Sequence, residues 1–238
     1  MAQINKSSDY FNTVLYSGDD TTTRNITGFG FQPDFVWNKA RSSSYNHYLI
    51  DAVRGSPGKV LISNLTNAED NDSGFQNSFK GFVADGNTIG QQSGYEVNDS
   101  GVNYVQWGWK ANGSGSANTD GSISSTVSAN TTAGFSISKY TGTGSDATVG
   151  HGLGVTPKIV FFKRLDTSAN WVFQTPLLGN KVQLVLNGTD AENTDSRLGA
   201  SDNWSNQVFT VGTYGDMNAS GGTYIAYCFA EKKGYSKF

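Results

Sequence analysis

The side chains able to do acid–base, nucleophilic or metal chemistry are sparse in this sequence. It holds two histidines, His47 and His151, and one cysteine, Cys228. His47 lies between Asn46 and Tyr48 in a strand-like stretch and reads as a structural or surface position rather than a catalytic base. His151 lies in the run GHGLG, which leads into VTPKIVFFK. That continuation reads as a strand and not a helix, so neither a dinucleotide fingerprint nor a phosphate cradle forms, and the glycines serve turn geometry. Cys228 alternates with Ala226 and Ala230 on the small-residue face of the last strand, where a thiol behaves as a small hydrophobe. A single cysteine excludes an intramolecular disulfide and a cysteine zinc cluster. Glu69, Asp70 and Asp72 supply hard oxygens, yet they lack the glycine and closing glutamate of a calcium loop, and Asp190, Glu192 and Asp195 follow a different spacing. Two carboxylates facing across a glycosidic bond would make a hydrolase, but no such pair is legible. Sugar recognition points to tryptophan, and Trp204 in SDNWSN is the candidate exposed platform, with Asn203 and Asn206 placed to hydrogen-bond beside a stacked ring. The expectation is a binding protein with no catalytic residue, no metal and no cofactor.

The elements that would position these residues come in two sets. YSG at Tyr16 returns as YTG at Tyr140, and GFGFQPDFVWNK, ending at Lys39, returns as HGLGVTPKIVFFK, ending at Lys163, both at a spacing of 124 residues. NLTNAE from Asn64 matches NGTDAE from Asn187, and VNDSGVNYVQWGWK from Val97 matches MNASGGTYIAYCFA from Met217. Four blocks in the same order predict two homologous domains by internal duplication. Neither histidine has a counterpart, since Trp171 and Thr27 stand at the equivalent positions. A duplicated active site would keep one such pair.

Within each copy apolar residues recur at every second position, and Gly, Asn, Asp and Ser clusters separate the runs. Glycine fills 29 of the 238 positions, well above the roughly 7% of average usage, which suits many tight turns. The spacing predicts an all-β protein of two tandem homologous antiparallel β-sandwich domains, jelly-roll-like in topology. The boundaries fall at an N-terminal arm 1–9, a first repeat 10–110, a linker or bridging strand 111–132 and a second repeat 133–238. The bulky stripes Val105, Trp107, Trp109 and Ile225, Tyr227, Phe229 are expected to face the cores. The spacing of Thr66 to Glu69 and of Thr189 to Glu192 fits a capping box, which predicts a short helical turn at each.

Charged residues make up 16% of the chain and the net charge is −3, so no basic field exists for a phosphate backbone and nucleic acid is an unsuitable partner. No apolar run approaches the roughly 20 residues of a membrane span, so no membrane insertion is expected. The start MAQINKSSDY lacks a signal-peptide pattern, which implies synthesis in the cytoplasm of the producing cell.

The runs SDYFNTVLYSG, GFGFQPDFVWNKARS, DAVRG at Asp51, SNLTNAE, and ANTTAGFSISKYTGTGSDATVGHGLGVTPKIVFFKR with YIAYCFAEKKGYSKF resemble a domain of uncharacterised function found in structural proteins of marine tailed bacteriophages. The resemblance covers nearly the whole chain and offers no enzymatic residues to carry over. It implies a virion structural protein on the particle surface, as a tail-fibre or appendage component meeting the host. A capsid-decorating head fibre or cement protein is the alternative, and a polysaccharide-degrading enzyme the third reading. The implied partners are other virion proteins, copies of itself as a homo-oligomer with a trimer first, and a host-surface glycan or protein. The polar N-terminal arm is the expected docking segment, through Met1, Ile4, Tyr10 and Phe11.

Overall fold

The computed structural model describes residues 3–55, 59–70 and 73–238. Its strands are β1 (Phe11–Ser17), β2 (Arg24–Thr27), β3 (Phe35–Ala40), β4 (His47–Asp51), β5 (Leu61–Ile62), β6 (Phe79–Val83), β7 (Gly86–Ile89) and β8 (Asn103–Trp109). They continue as β9 (Ser116–Asn118), β10 (Ser125–Asn130), β11 (Phe135–Thr141), β12 (Ala147–Gly150), β13 (Ile159–Arg164) and β14 (Val172–Gln174). The last four are β15 (Val182–Val185), β16 (Asn193–Thr194), β17 (Val208–Val211) and β18 (Thr223–Phe229). The α-helices among the described residues are short, α1 (Ser73–Ser78) and α2 (Gly215–Asn218), and none is long and apolar enough to cross a membrane. The protein is all-β, and its strand ladders are antiparallel.

The chain forms two compact units. The N-terminal unit comprises Lys6–Asn64 and Glu69–Gly113. It holds a five-stranded sheet ordered β1-β8-β3-β4-β5 and a three-stranded sheet β2-β7-β6. Its core draws on both, with Tyr16, Val36, Tyr48 and Tyr104 from the first and Ile26, Phe79 and Ile89 from the second. The C-terminal unit comprises Ser114–Phe238, the described residues before Lys6, and the segment Leu65–Ala68. An eight-stranded sheet ordered β16-β15-β14-β13-β18-β11-β10-β9 and the pair β12-β17 supply its core. Within the segment 111–132, β9 and β10 extend the ladder beside β11.

The central ladders of the two units share a register. Tyr16 lies opposite Tyr104 and Phe11 opposite Trp109, as Tyr140 lies opposite Tyr224 and Phe135 opposite Phe229. Ile26 faces Asn87 as Val149 faces Phe209. The tyrosine pairs stack with centroids 5.0 and 5.3 Å apart. Tyr16 and Tyr140 donate to the carbonyls of Val97 and Met217, and the Tyr104 and Tyr224 hydroxyls accept the N–H of Asp99 and Ala219. Asn98 and Asn218, fully buried, each bind the loop that follows the first strand of the ladder. Gly18 and Gly142 start those loops, where a Cβ would collide with the Asp99 or Ala219 carbonyl.

Three expectations are corrected. Of the expected core stripes, Val105, Ile225 and Tyr227 are buried, but Trp107, Trp109 and Phe229 are only half-buried. The face that joins the main core clusters carries Tyr104 in the N-terminal unit, beside buried Gln106, and Tyr224, Ala226 and Cys228 in the C-terminal unit. Bulk misled because packing needs complementary sizes rather than large residues on every face: a Cβ on Gly108 would strike the Phe29 ring. Cys228 holds the ladder position of Gly108, and Leu153 stands where the matching block has Phe29, so volume gained on the strand is given back on the loop. Trp107 and Trp109 are half-buried on the opposite face, against Trp37 and against Phe11 and Phe35. The helical turns at Thr66–Glu69 and Thr189–Glu192 do not form, and both segments are extended or bent. The N-terminal arm is neither free nor wholly extended: Ser7–Asp9 make a 3-10 turn, and the Ile4 N–H donates to the Lys233 carbonyl while its side chain is buried.

Candidate functional site

The chemically capable groups are engaged in packing. His151 is fully buried; its Nε2 lies 3.2 Å from the Ser205 carbonyl and its Nδ1 accepts the Leu153 N–H. That pairing fits the neutral ring, and burial holds its pKa below the usual imidazole value. His47 opens β4 half-buried, its pKa lowered first by desolvation and then by Lys39. Burial pushes the Cys228 thiol far above its ordinary range, so no thiolate is available. Glu69 pairs with Arg54 and Lys59, and Asp70 accepts the Tyr95 hydroxyl at 2.6 Å. Asp72 lies outside the described residues. Asp195 pairs with Arg197 at 2.6 Å, while Asp190 and Glu192 are exposed. Among the described residues no group of three such side chains converges on a metal position.

Two buried charged groups escape a reading by spacing. Arg54 in DAVRG has no exposed side-chain surface and binds Asp51, Glu69 and the Leu49 carbonyl. It therefore joins β4 to the strand-like turn at Glu69. Lys163 is fully buried, and its Nζ donates to the carbonyls of Thr66 at 2.9 Å and Ala169 at 2.6 Å. Desolvation lowers its pKa to about 8, against the opposing field of Asp216. A lysine so shifted resembles a nucleophile, but both acceptors are backbone and the amine is closed to substrate. The signal for it was Lys39, its duplicate at the end of the equivalent strand.

Trp204 is not a surface platform. Its ring is 6% exposed and belongs to the C-terminal core beside Leu198 and Phe209, and its Nε1 finds no acceptor among the described residues. The polar neighbours that suggested exposure form a 3-10 turn, Ser201–Asn203, in which Ser201 is buried and Asp202 and Asn203 are exposed, while the indole anchors the loop. Asn203 and Asn206 remain exposed. Asn203 lines an open cleft of about 420 Å³ with Ser122, Asp146, Thr148, Lys181 and Thr210. No aromatic ring lines it, and its wall is more apolar than polar, with Ala147, Leu198 and Val211 beside the hydroxyls, one amide and one charge of each sign. Of the docking residues, Met1 lies outside the described residues and Ile4 is buried. Tyr10 and Phe11 are half-buried, Phe11 against Trp109 at 4.8 Å. They brace the ladder rather than project from it.

Among the described residues the cleft lining holds no histidine or cysteine and a single carboxylate, Asp146; what it offers is hydroxyls and one amide set among apolar side chains. No curated protein and no solved structure matches the chain. One family model covers residues 6–238, spanning both units, and the chain accordingly belongs to the family described as Domain of unknown function (DUF7483).

Proposed function

We propose that this chain is a duplicated β-sandwich protein of a bacteriophage virion surface, a tail-fibre or appendage component that works by binding and catalyses nothing. In this reading the two units are tandem homologous sandwiches of jelly-roll-like topology, and the virion role rests on the sequence resemblance. The observation that best supports a binding role is the fate of the reactive groups: His151, Cys228, Lys163 and Arg54 are all closed inside the units, whereas the exposed loops carry Ser, Thr, Asn and a few paired charges. Such a surface has little like-charge repulsion and suits repeated packing against copies of itself. Multivalent display then turns weak single contacts into stable attachment.

The host-facing residues in this proposal are Asn203, Asn206 and the cleft groups Asp146 and Lys181, with Trp204 holding the loop from below. The test is binding of purified protein to host cells and, in parallel, to capsids lacking it. Saturable binding to cells, weakened by Asn203→Ala with Lys181→Ala, is expected. Binding to capsids alone would replace the appendage reading by capsid decoration, and release of soluble sugar from surface polysaccharide would overturn both.

A further inference from the structure

The segment NLTNAE begins on the N-terminal unit, where the Asn64 side chain accepts the His47 N–H and donates to Asn46. Its next four residues, Leu65–Ala68, belong to the C-terminal unit. There the Thr66 carbonyl accepts from Lys163 Nζ at 2.9 Å and from the Ala169 N–H at 2.9 Å, and Ser168 Oγ donates to Thr66 Oγ1 at 3.0 Å. The contact thus joins a projecting Thr to a Lys, a Ser and one backbone N–H.

Each part of that contact has a duplicate. Thr189 repeats Thr66, Lys39 repeats Lys163 and Ser44 repeats Ser168. The segment NGTDAE is anchored as its twin is: Asn187 accepts the Trp171 N–H and donates to Asn170. Yet residues 188–194 are exposed. On the other side Lys39 reaches only the Tyr45 carbonyl, at 3.4 Å, and Ser44 is exposed. The Tyr45 N–H meets no acceptor among the described residues, while the Tyr45 ring packs on the core and its hydroxyl turns to Asp99.

We propose that the Thr189–Ala191 segment of one copy docks on Lys39, Ser44 and Tyr45 of a second copy, joining copies head to tail by repeating the Thr66 contact between chains. Charge favours the second copy as occupant. Where the internal contact sets Asn67 beside the docking threonine and Leu165 beyond the lysine, the open halves carry Asp190 and Arg41. Asp190 and Arg41 are both exposed and of opposite sign, and the proposed docking pairs them. Opposed charges of this kind steer encounter and set register, while the Lys39 ammonium and backbone bonds supply the hold. A contact between different patches is heterologous, so it closes into a ring where the rotation allows and otherwise grows as a filament.

The test uses the full chain and light scattering at low and high salt. The wild type should gain mass with concentration at low salt and lose it as screening shortens the reach of the charges. Arg41→Glu and Asp190→Arg should each weaken assembly about tenfold or more, and an equimolar mixture of the two should restore it, because each supplies the half that complements the other. In Ser44→Cys with Thr189→Cys, oxidation should give a ladder of cross-linked multimers, whereas Thr66→Cys with Ser168→Cys should close within one chain and stay monomeric. A wild type that remains monomeric at high concentration in low salt overturns the proposal. Assembly of either charge variant at wild-type strength, or the absence of a ladder, overturns it too.

Discussion

Asn38, Asn87 and Gln106 in the N-terminal unit hold the strand positions that Phe162, Phe209 and Ala226 hold in the C-terminal unit. All six are buried. In the first unit Asn87 and Gln106 exchange amide hydrogen bonds, at 2.6 Å from Asn87 Nδ2 and 3.3 Å in return. Asn38 donates to the Tyr16 hydroxyl at 2.7 Å. In the second unit Phe209 meets Phe162 edge-on at 5.4 Å and Tyr140 at 6.1 Å. The ladders nonetheless pair in one register around the same stacked tyrosines. What fixes the architecture is therefore the backbone pairing and the buried loop asparagines, not the chemistry of the core centre, which accepts either amides or rings as long as the volume is filled.

That comparison breaks first at its largest element. Phe209→Ala should cost about 3–5 kcal/mol, since it removes a fully buried ring from two aromatic contacts and leaves a cavity. Asn87→Ala should cost about 1–3 kcal/mol, chiefly the penalty for leaving the Gln106 amide unpaired. Denaturant midpoints of the two variants measure this, and an Asn87→Ala loss equal to that of Phe209→Ala would place the polar pair at the centre of stability instead.

The duplicated lysines sharpen the comparison through pH. Lys163 folds with a pKa lowered from 10.5 to about 8, so between those values the unfolded chain binds more protons than the folded one. Stability from this group therefore rises as pH rises from about 8, and is lost as pH falls back through it. Between pH 7 and about 9.5 the gain is about 2 kcal/mol, and Lys163→Met should flatten the rise. Asp216 faces the same ammonium and opposes the shift, so Asp216→Asn should steepen it. A wild type whose urea midpoint is level across that range would mean that the Lys163 amine is solvated.

Much of the all-β fold is legible because the block repetition in the sequence and the period-two spacing are local patterns. The strands β4, β13 and β18 lie where the strand-like stretch at His47, the run VTPKIVFFK and the alternation at Ala226, Cys228 and Ala230 place them. The strands β2, β7 and β12 escape the reading, because each is four residues long and its Asn or Thr content reads as turn. Trp204 was misplaced for a related reason: flanking polarity describes the backbone of a loop, while a single large ring points wherever the core has room. The docking of Thr66 on Lys163 depends on residues 97 positions apart, which no local pattern encodes. Only its duplicated parts were visible, as two identical lysines and two N-x-T segments.

The smallest test concerns the stacked tyrosines. Tyr140 loses one hydrogen bond when changed to Phe, the one to the Met217 carbonyl, at a cost of about 1 kcal/mol. Tyr16 loses two, because its hydroxyl donates to the Val97 carbonyl at 2.6 Å and also accepts from Asn38. Both groups left behind are buried, so Tyr16→Phe should exceed Tyr140→Phe by about 1 kcal/mol. The excess should vanish when Asn38→Leu is added, since that removes the orphaned donor while keeping an apolar side chain of similar size. Coupling of about 1 kcal/mol between Tyr16 and Asn38 in a double-mutant cycle, with none between Tyr140 and Phe162 beyond their packing, is the expected result. Equal losses for the two Tyr→Phe changes would mean that the Asn38 amide finds another partner, and that the polar centre of the N-terminal unit is held by Asn87 and Gln106 alone.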